Sequence, residues 1–266
     1  MPRSPQRTIS ACCVLLFCLT AAPGPSHGQV AAKSKLARIS FDGLKSLSAD
    51  LLIAESGLKL GELTGRDDLQ AAADRLAQLG LFSKITYEYR AQMDGLSVAF
   101  HAEEAPRVPA YFDNIPWFTD GELAEAIRKT VPFYDSTCPE GGTVLDRIAE
   151  ALRQLLQSHR LIVAVEHEYI GNPIGEGMVQ EFHITGASIK IARIEFADPL
   201  AASSRGLQIH VSELIGKPYS RMTIDLFLAE QVRPVYLQKG YLRAKIGPAE
   251  IRLTSDPTKP LPDTLP

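Results

Sequence analysis

A chain of 266 residues, 45% hydrophobic and 22% charged, has the composition of ordered globular protein and room for more than one domain. Its formal net charge of −3 lacks the basic footprint of a nucleic-acid binder. After residue 29 no apolar run approaches the ~18 residues that a membrane helix needs.

In chain order, Arg3 and Arg7 precede an apolar run from Ile9 to Ala22, and small residues follow up to Gly28. The pattern predicts a secretory signal peptide over residues 1–28, too short and wrongly flanked to span a membrane. It carries two basic residues and no acidic one, so the remainder holds 26 basic against 31 acidic residues, a net charge of −5. Cys12, Cys13 and Cys18 leave with it. Cys138 then stands alone, either an unreactive thiol or half of a disulfide to a partner chain.

The rest reads as α+β. In residues 29–106 a strand begins at Leu36, and Ser48 caps a helix that carries Leu51, Leu52 and Ile53 and stops at Gly57. Thr64 with Asp67 opens a second helix with Leu69, Ala72, Ala73, Leu76 and Leu79 on one face, and Gly80 suits the left-handed cap that ends it. Ile85, Tyr87 and Tyr89 alternate with Thr86, Glu88 and Arg90 along a strand from Ser83, the apolar set packing under the helices. Met93-Asp94-Gly95 turns the chain, and Leu96, Val98 and Phe100 alternate in the return strand. The unit is β-α-α-β-β.

Residues 107–187 repeat that order. A strand from Val108 to Phe112 leads to a helix opened by the Thr119/Glu122 capping box, then to a helix capped by Thr143. Strands follow from about Leu161 to Tyr169 and from Met178 to Ile184, around a glycine-rich hairpin. Residues 188–253 start a third unit at Ile189, with a helix near Leu207 to Ile215 and a longer one from Arg221 to Gln238 that Pro234 should kink. A strand from Tyr241 to Leu253 has no return strand, because residues 254–266 are a tail with four prolines, which cannot donate to a ladder.

Two echoes tie the units together. Leu36-Ala37-Arg38-Ile39-Ser40-Phe41 returns 155 residues later as Ile191-Ala192-Arg193-Ile194-Glu195-Phe196. Gly80-Leu81-Phe82-Ser83-Lys84-Ile85 is answered 160 residues later by Gly240-Tyr241-Leu242-Arg243-Ala244-Lys245-Ile246. Tandem units of this kind behind a signal peptide, with a glycine and an aromatic or leucine joining the second helix to the second strand, resemble POTRA (polypeptide-transport-associated) domains over about Leu36 to Leu253. Gly80, Phe82, Gly240 and Leu242 carry the joint, and His159-Arg160-Leu161 departs from it.

The resemblance implies three modules, the third incomplete, in a non-enzymatic periplasmic scaffold for outer-membrane protein assembly or secretion. It implies no cofactor and no metal. Its partners would be unfolded or extended outer-membrane polypeptides and an outer-membrane β-barrel, in cis or encoded next door, with membrane association only through that barrel and no nucleic acid. The chain would then be a truncated or split version of a longer protein in which the third return strand and a barrel follow. The resemblance also puts the strand of Ser83, Lys84, Ile85, Thr86, Tyr87, Glu88, Tyr89 and Arg90 on a sheet edge, where an extended guest adds by β-augmentation. A periplasmic enzyme or solute-binding protein, and an adaptor with one fixed partner, remain as alternatives; a converging polar pocket between modules would favour the enzyme.

Other motifs point elsewhere less well. Gly24-Pro25-Ser26-His27-Gly28 has the spacing of a nucleophile elbow but lies in the signal segment, and Ser56-Gly57-Leu58-Lys59 puts its serine at a helix end. Glu166-His167-Glu168 on a strand points its histidine away from both glutamates, and Gly175-Glu176-Gly177 belongs to a hairpin. Proline at Thr86 is expected to weaken peptide binding provided that N–H faces outward. Valine at a left-handed Gly80 is expected to cost on the order of 1 to 3 kcal/mol.

Overall fold

The computed structural model describes residues 33–253. The expected signal peptide, with Cys12, Cys13, Cys18 and the Gly24–Gly28 motif, and the proline-rich tail lie outside the described residues.

The first unit runs β1 (Ser34–Asp42), α1 (Ala49–Ser56), β2 (Leu63–Thr64), α2 (Arg66–Gln78), β3 (Phe82–Gln92) and β4 (Gly95–Glu104). Its sheet order is β2-β1-β4-β3, with β4 parallel to β1 and antiparallel to β3. The last strand in sequence is therefore central, and its inward residues Leu96, Val98 and Phe100 are buried in one cluster with the α2 face of Leu69, Ala72, Ala73 and Leu76. Thr64 is taken up by β2, so the cap of α2 falls one residue later: the Gly65 N–H donates to Asp68 Oδ2 at 2.8 Å.

Glu104, at the end of β4, holds the chain that enters α1. Its carboxylate accepts the N–H groups of Lys45, Ser46 and Leu47 at 2.7, 2.9 and 3.1 Å and the Ser46 hydroxyl at 2.7 Å. Partial burial disfavours the charge, but these hydrogen bonds outweigh it and hold the carboxyl at about 2.

The second unit repeats the topology: β5 (Arg107–Phe112), α3 (Asp120–Thr130), β6 (Thr137–Pro139), α4 (Thr143–Ser158), β7 (Ala164–Gly171) and β8 (Met178–Thr185), in the order β6-β5-β8-β7. The Thr119/Glu122 box forms, with the Thr119 N–H donating to Glu122 Oε2 at 2.8 Å. At the departing joint, Arg160 takes the left-handed conformation (φ 64°) that Gly80 takes in the first unit (φ 81°). The Arg160 N–H donates to Gln157 O at 2.9 Å and the Leu161 N–H to Leu156 O at 3.0 Å, a Schellman closure. Leu161 is buried as Leu81 is. The joint is thus a backbone conformation followed by a buried leucine. Cys138 lies in β6 and is fully buried, its thiol pushed up to about 12 by desolvation. That burial closes it to a partner chain.

One apolar core runs through both units. Gly80 lies against Gly141 and Gly142, so closely that a Cβ on Gly80 would overlap the Gly141 carbonyl oxygen and one on Gly142 the Leu79 carbonyl oxygen. Arg147 of α4 pairs with Glu55 of α1 at 2.9 Å across the same joint.

The third unit is helical: α5 (Pro199–Ala202), α6 (Arg205–Leu214), α7 (Arg221–Phe227) and α8 (Arg233–Gln238), with a π-helical stretch, Leu228–Val232, between the last two. The helix expected from Arg221 to Gln238 is thus interrupted just before Pro234, where a missing N–H and the ring would disrupt a regular ladder. The strands expected from Ile189 and over Tyr241–Leu253 form no ladder; the only pairing there among the described residues is the bridge Lys190↔Pro218. In the first two units the first and third strands bond to the central return strand and not to each other. Contacts to the second unit hold the third. Asp113 Oδ1 accepts the Ser220 hydroxyl at 3.1 Å and the Met222 N–H at 2.8 Å, capping α7, and the Tyr111 hydroxyl donates to Asp225 Oδ2 at 2.9 Å.

Glu104 stabilises the fold fully above its ordinary value of 4.5, and the contribution is lost as pH falls through about 2. Glu104→Gln should therefore lower the urea midpoint at pH 7 and flatten its decline in that acid window; an unchanged pH profile would remove the role given to this carboxylate. Arg160→Gly should stabilise by roughly 0.5 to 1 kcal/mol in urea melts, since a left-handed non-glycine residue costs about 1–2 kcal/mol, partly offset by the entropy of an unfolded glycine. Gly240 is also left-handed (φ 83°) but has open space around it. Gly240→Ala should cost about 1 kcal/mol, and Gly80→Ala clearly more. Equal losses would show that the joint between the units yields freely.

Candidate functional site

β3 is the outer strand of the first sheet, and no strand among the described residues pairs with its other side. Which backbone groups it offers follows from the hairpin. Met93 and Asp94 are the two turn residues between the partners Gln92 and Gly95, so Gln92↔Gly95 is a hydrogen-bonded pair. Alternation along an antiparallel ladder makes Arg90↔Ser97, Glu88↔Ala99 and Thr86↔His101 hydrogen-bonded pairs as well. The N–H and C=O groups of Ile85, Tyr87 and Tyr89 therefore face away from β4, toward the open side. At the other end the register shifts around Ser83, a bulge whose hydroxyl donates to Glu103 O at 3.2 Å, and the Ala105 N–H donates to Leu81 O at 2.9 Å.

The proviso attached to Thr86 is thus not met. Its N–H belongs to the ladder with His101, and proline there would cut the sheet without removing an outward donor. Of the side chains, Ile85 and Tyr87 are half-buried and pack on the core, with the Tyr87 hydroxyl donating to Gln70 Oε1 of α2 at 3.2 Å. Tyr89 differs from the expectation: it is 47% exposed, stacked on Tyr87 with ring centroids 6.4 Å apart. Ser83, Lys84, Thr86, Glu88 and Arg90 are exposed.

Among the joint residues, Gly80 and Gly240 are both left-handed, and Phe82 is half-buried on the core. Leu242, by contrast, is 77% exposed. The apolar residue that seals the first two joints is the one directly after the left-handed position, Leu81 and Leu161; its counterpart Tyr241 is exposed. Sequence reading also passed over β7, which occupies the outer position of the second sheet. Its signal was available, since β7 and β8 repeat the hairpin order of β3 and β4.

Glu166-His167-Glu168 lies on β7 with its residues on opposite faces. His167 is within 3.4 Å of Asp146 on α4, whereas Glu166 accepts the Thr185 hydroxyl at 3.2 Å. Ser56 ends α1, its hydroxyl donating to Ile53 O at 2.7 Å. An open cleft of about 460 Å³ does lie where α2 meets the second unit, lined by Glu140, Asp146, His167, Tyr169 and Gln180 among others. Its polar groups are engaged with one another: the Tyr169 hydroxyl donates to Glu140 at 3.1 Å, and His167 sits between Asp146 and the Gln180 amide. The cleft presents no nucleophile beside a base.

Residues 34–105 match the protein family described as "POTRA: Surface antigen variable number repeat". No curated protein matches the chain. Among solved structures, POTRA1-2 of the periplasmic domain of Omp85 from Anabaena is similar at 14% identity, with 60% of this chain and 99% of that chain covered and a TM-score of 0.29. The N-terminal domain of Omp85 from Thermosynechococcus elongatus gives 14% identity, 76% and 86% coverage and a TM-score of 0.33. BamA POTRA3-5 from Haemophilus influenzae gives 12%, 77% and 87%, and 0.30. Identities and TM-scores are low throughout, and the assignment rests on the family match and on the chain's own topology. Residues 34–105 thus carry the POTRA match, and the next unit repeats their strand order.

Proposed function

We propose that this chain is a non-enzymatic periplasmic scaffold that holds extended polypeptides during outer-membrane protein assembly or secretion, working with an outer-membrane β-barrel. The observation that carries this reading is the free edge of β3 in a POTRA domain, where Ile85, Tyr87 and Tyr89 turn their main-chain donors and acceptors outward. A guest strand adding there would bond through its backbone, which ignores its sequence, and its residues on the helix side would meet the exposed Tyr89 ring. Contacts of this kind suit many weakly held clients. β7 offers a second, shorter edge of the same kind. Export through residues 1–28 supplies the compartment.

Tyr89 provides the test, because it is partly exposed and its N–H is not used in the ladder. Tyr89→Pro should weaken the binding of extended peptides several-fold while β4 amides keep their protection, and Tyr89→Ala, which keeps the N–H, should weaken it less. A folded Tyr89→Pro protein with unchanged peptide-induced NMR shifts would reject this use of the edge.

A further inference from the structure

Between β7 and α4 the open cleft of about 460 Å³ is followed by a second hollow of about 420 Å³, and Asp146 and His167 line both. The free groups of β7 follow from its hairpin, as they do at β3. The Asn172 N–H donates to Gly177 O at 3.0 Å and closes the turn, so alternation makes Ile170↔Val179, Glu168↔Glu181 and Glu166↔His183 the hydrogen-bonded pairs. The N–H and C=O groups of Val165, His167 and Tyr169 therefore face away from β8, on the side where no strand among the described residues pairs with β7. The side chains of His167 and Tyr169 lie on the helix side, at Asp146 of α4 and at Glu140 just before it. A guest strand on this edge puts the side chains opposite His167 and Tyr169 on that same face, over the cleft.

One acceptor in the cleft is unfilled. Gln180 of β8 lines it and is 1% exposed; its Nε2 meets His167 Nδ1 at 3.3 Å, but its Oε1 has no hydrogen-bond partner. A buried amide oxygen left in this way is costly and calls for a donor. Glu140 and Asp146 are each met by one cleft residue, Tyr169 and His167, and a carboxylate has room for more. No lysine or arginine lines the cleft. The N-terminus of α4, capped by Gly142 without a side chain, brings about half a positive charge, which the two carboxylates outweigh. Gln180 lies one strand behind β7, about 4.8 Å further from a guest, so only a long side chain reaches it. We propose that the edge of β7 selects extended polypeptides with an arginine or lysine opposite His167 or Tyr169, whose cationic end lies between Glu140 and Asp146 and donates to Gln180 Oε1. The inference rests on the edge binding proposed above and adds a charge preference to it.

The probes are two blocked synthetic heptapeptides, Thr-Val-Thr-Arg-Thr-Val-Thr and the same sequence with citrulline, which keeps the shape of arginine without its charge. Each is titrated into the whole chain and followed by the NMR shifts of the β7 amides, residues 164–171. The arginine peptide should bind about threefold to tenfold more tightly than the citrulline peptide, the scale of two partly exposed ion pairs. Glu140→Gln combined with Asp146→Asn should bring it down to the citrulline value; both side chains are exposed, so the fold should stand. Equal affinities on the wild-type chain, or a preference that survives in the double variant, would overturn the selection while leaving β7 as a binding edge. If neither peptide shifts the β7 amides, the edge reading of β7 falls and the inference with it; shifts confined to residues 83–90 would place binding at β3 alone.

Discussion

The strand that comes last in each unit sits in the middle of its sheet, and the rest of the architecture depends on that. β4 carries the hydrogen bonds of both β1 and β3, and its inward residues from Leu96 to Ala102 form the floor on which α1 and α2 rest. Until it arrives, β3 has no ladder and β1 only its short pairing with β2, because β1 and β3 each offer a bonding edge to β4 and not to the other. The order also decides which strand is left outside. With β4 in the centre and the two-residue β2 closing the far side, β3 is the one long strand of its sheet with an open edge. An open edge and a folding constraint are thus two results of one topology.

Local patterns were legible where local chemistry decides the outcome. The α2 stripe from Leu69 to Leu76, the Thr119/Glu122 box and the turn at Gly80 can each be read from a few neighbouring residues, and each forms. Arg160 could not be read that way, since nothing in its side chain favours a left-handed backbone; the buried Leu161 after it and the helix before it impose that conformation. The direction of the Thr86 N–H was in principle countable from the two-residue turn at Met93-Asp94, but only once the register with β4 was in hand. Side-chain patterns report faces, and main-chain bonds run at right angles to them. Gly80 shows the opposite limit. Its left-handed turn is local, whereas its contact with Gly141 joins residues far apart in sequence, and no periodicity encodes that approach.

The third unit separates pattern from partner. Ile194 and Phe196 of residues 191–196 and Ile246 of residues 241–253 reach the helices, yet among the described residues no sheet results. Alternation states which face a segment will bury; a ladder needs a neighbour at the right height. Five buried residues, Ala201, Leu207, Val211, Phe227 and Val232, form the heart of this core. Asp113 and Tyr111 of the second unit supply part of what its own sheet does not, by fixing the start of α7.

Where Gly80 meets Gly141 and Gly142 the two backbones touch with no side chain of these residues as a spacer. Arg147 and Glu55 pair across the same joint, and each unit keeps one outer strand, β3 or β7. For a polypeptide long enough to lie along both, the second attachment would follow the first at a local concentration set by the chain between them, so that two weak grips retain what either alone would release.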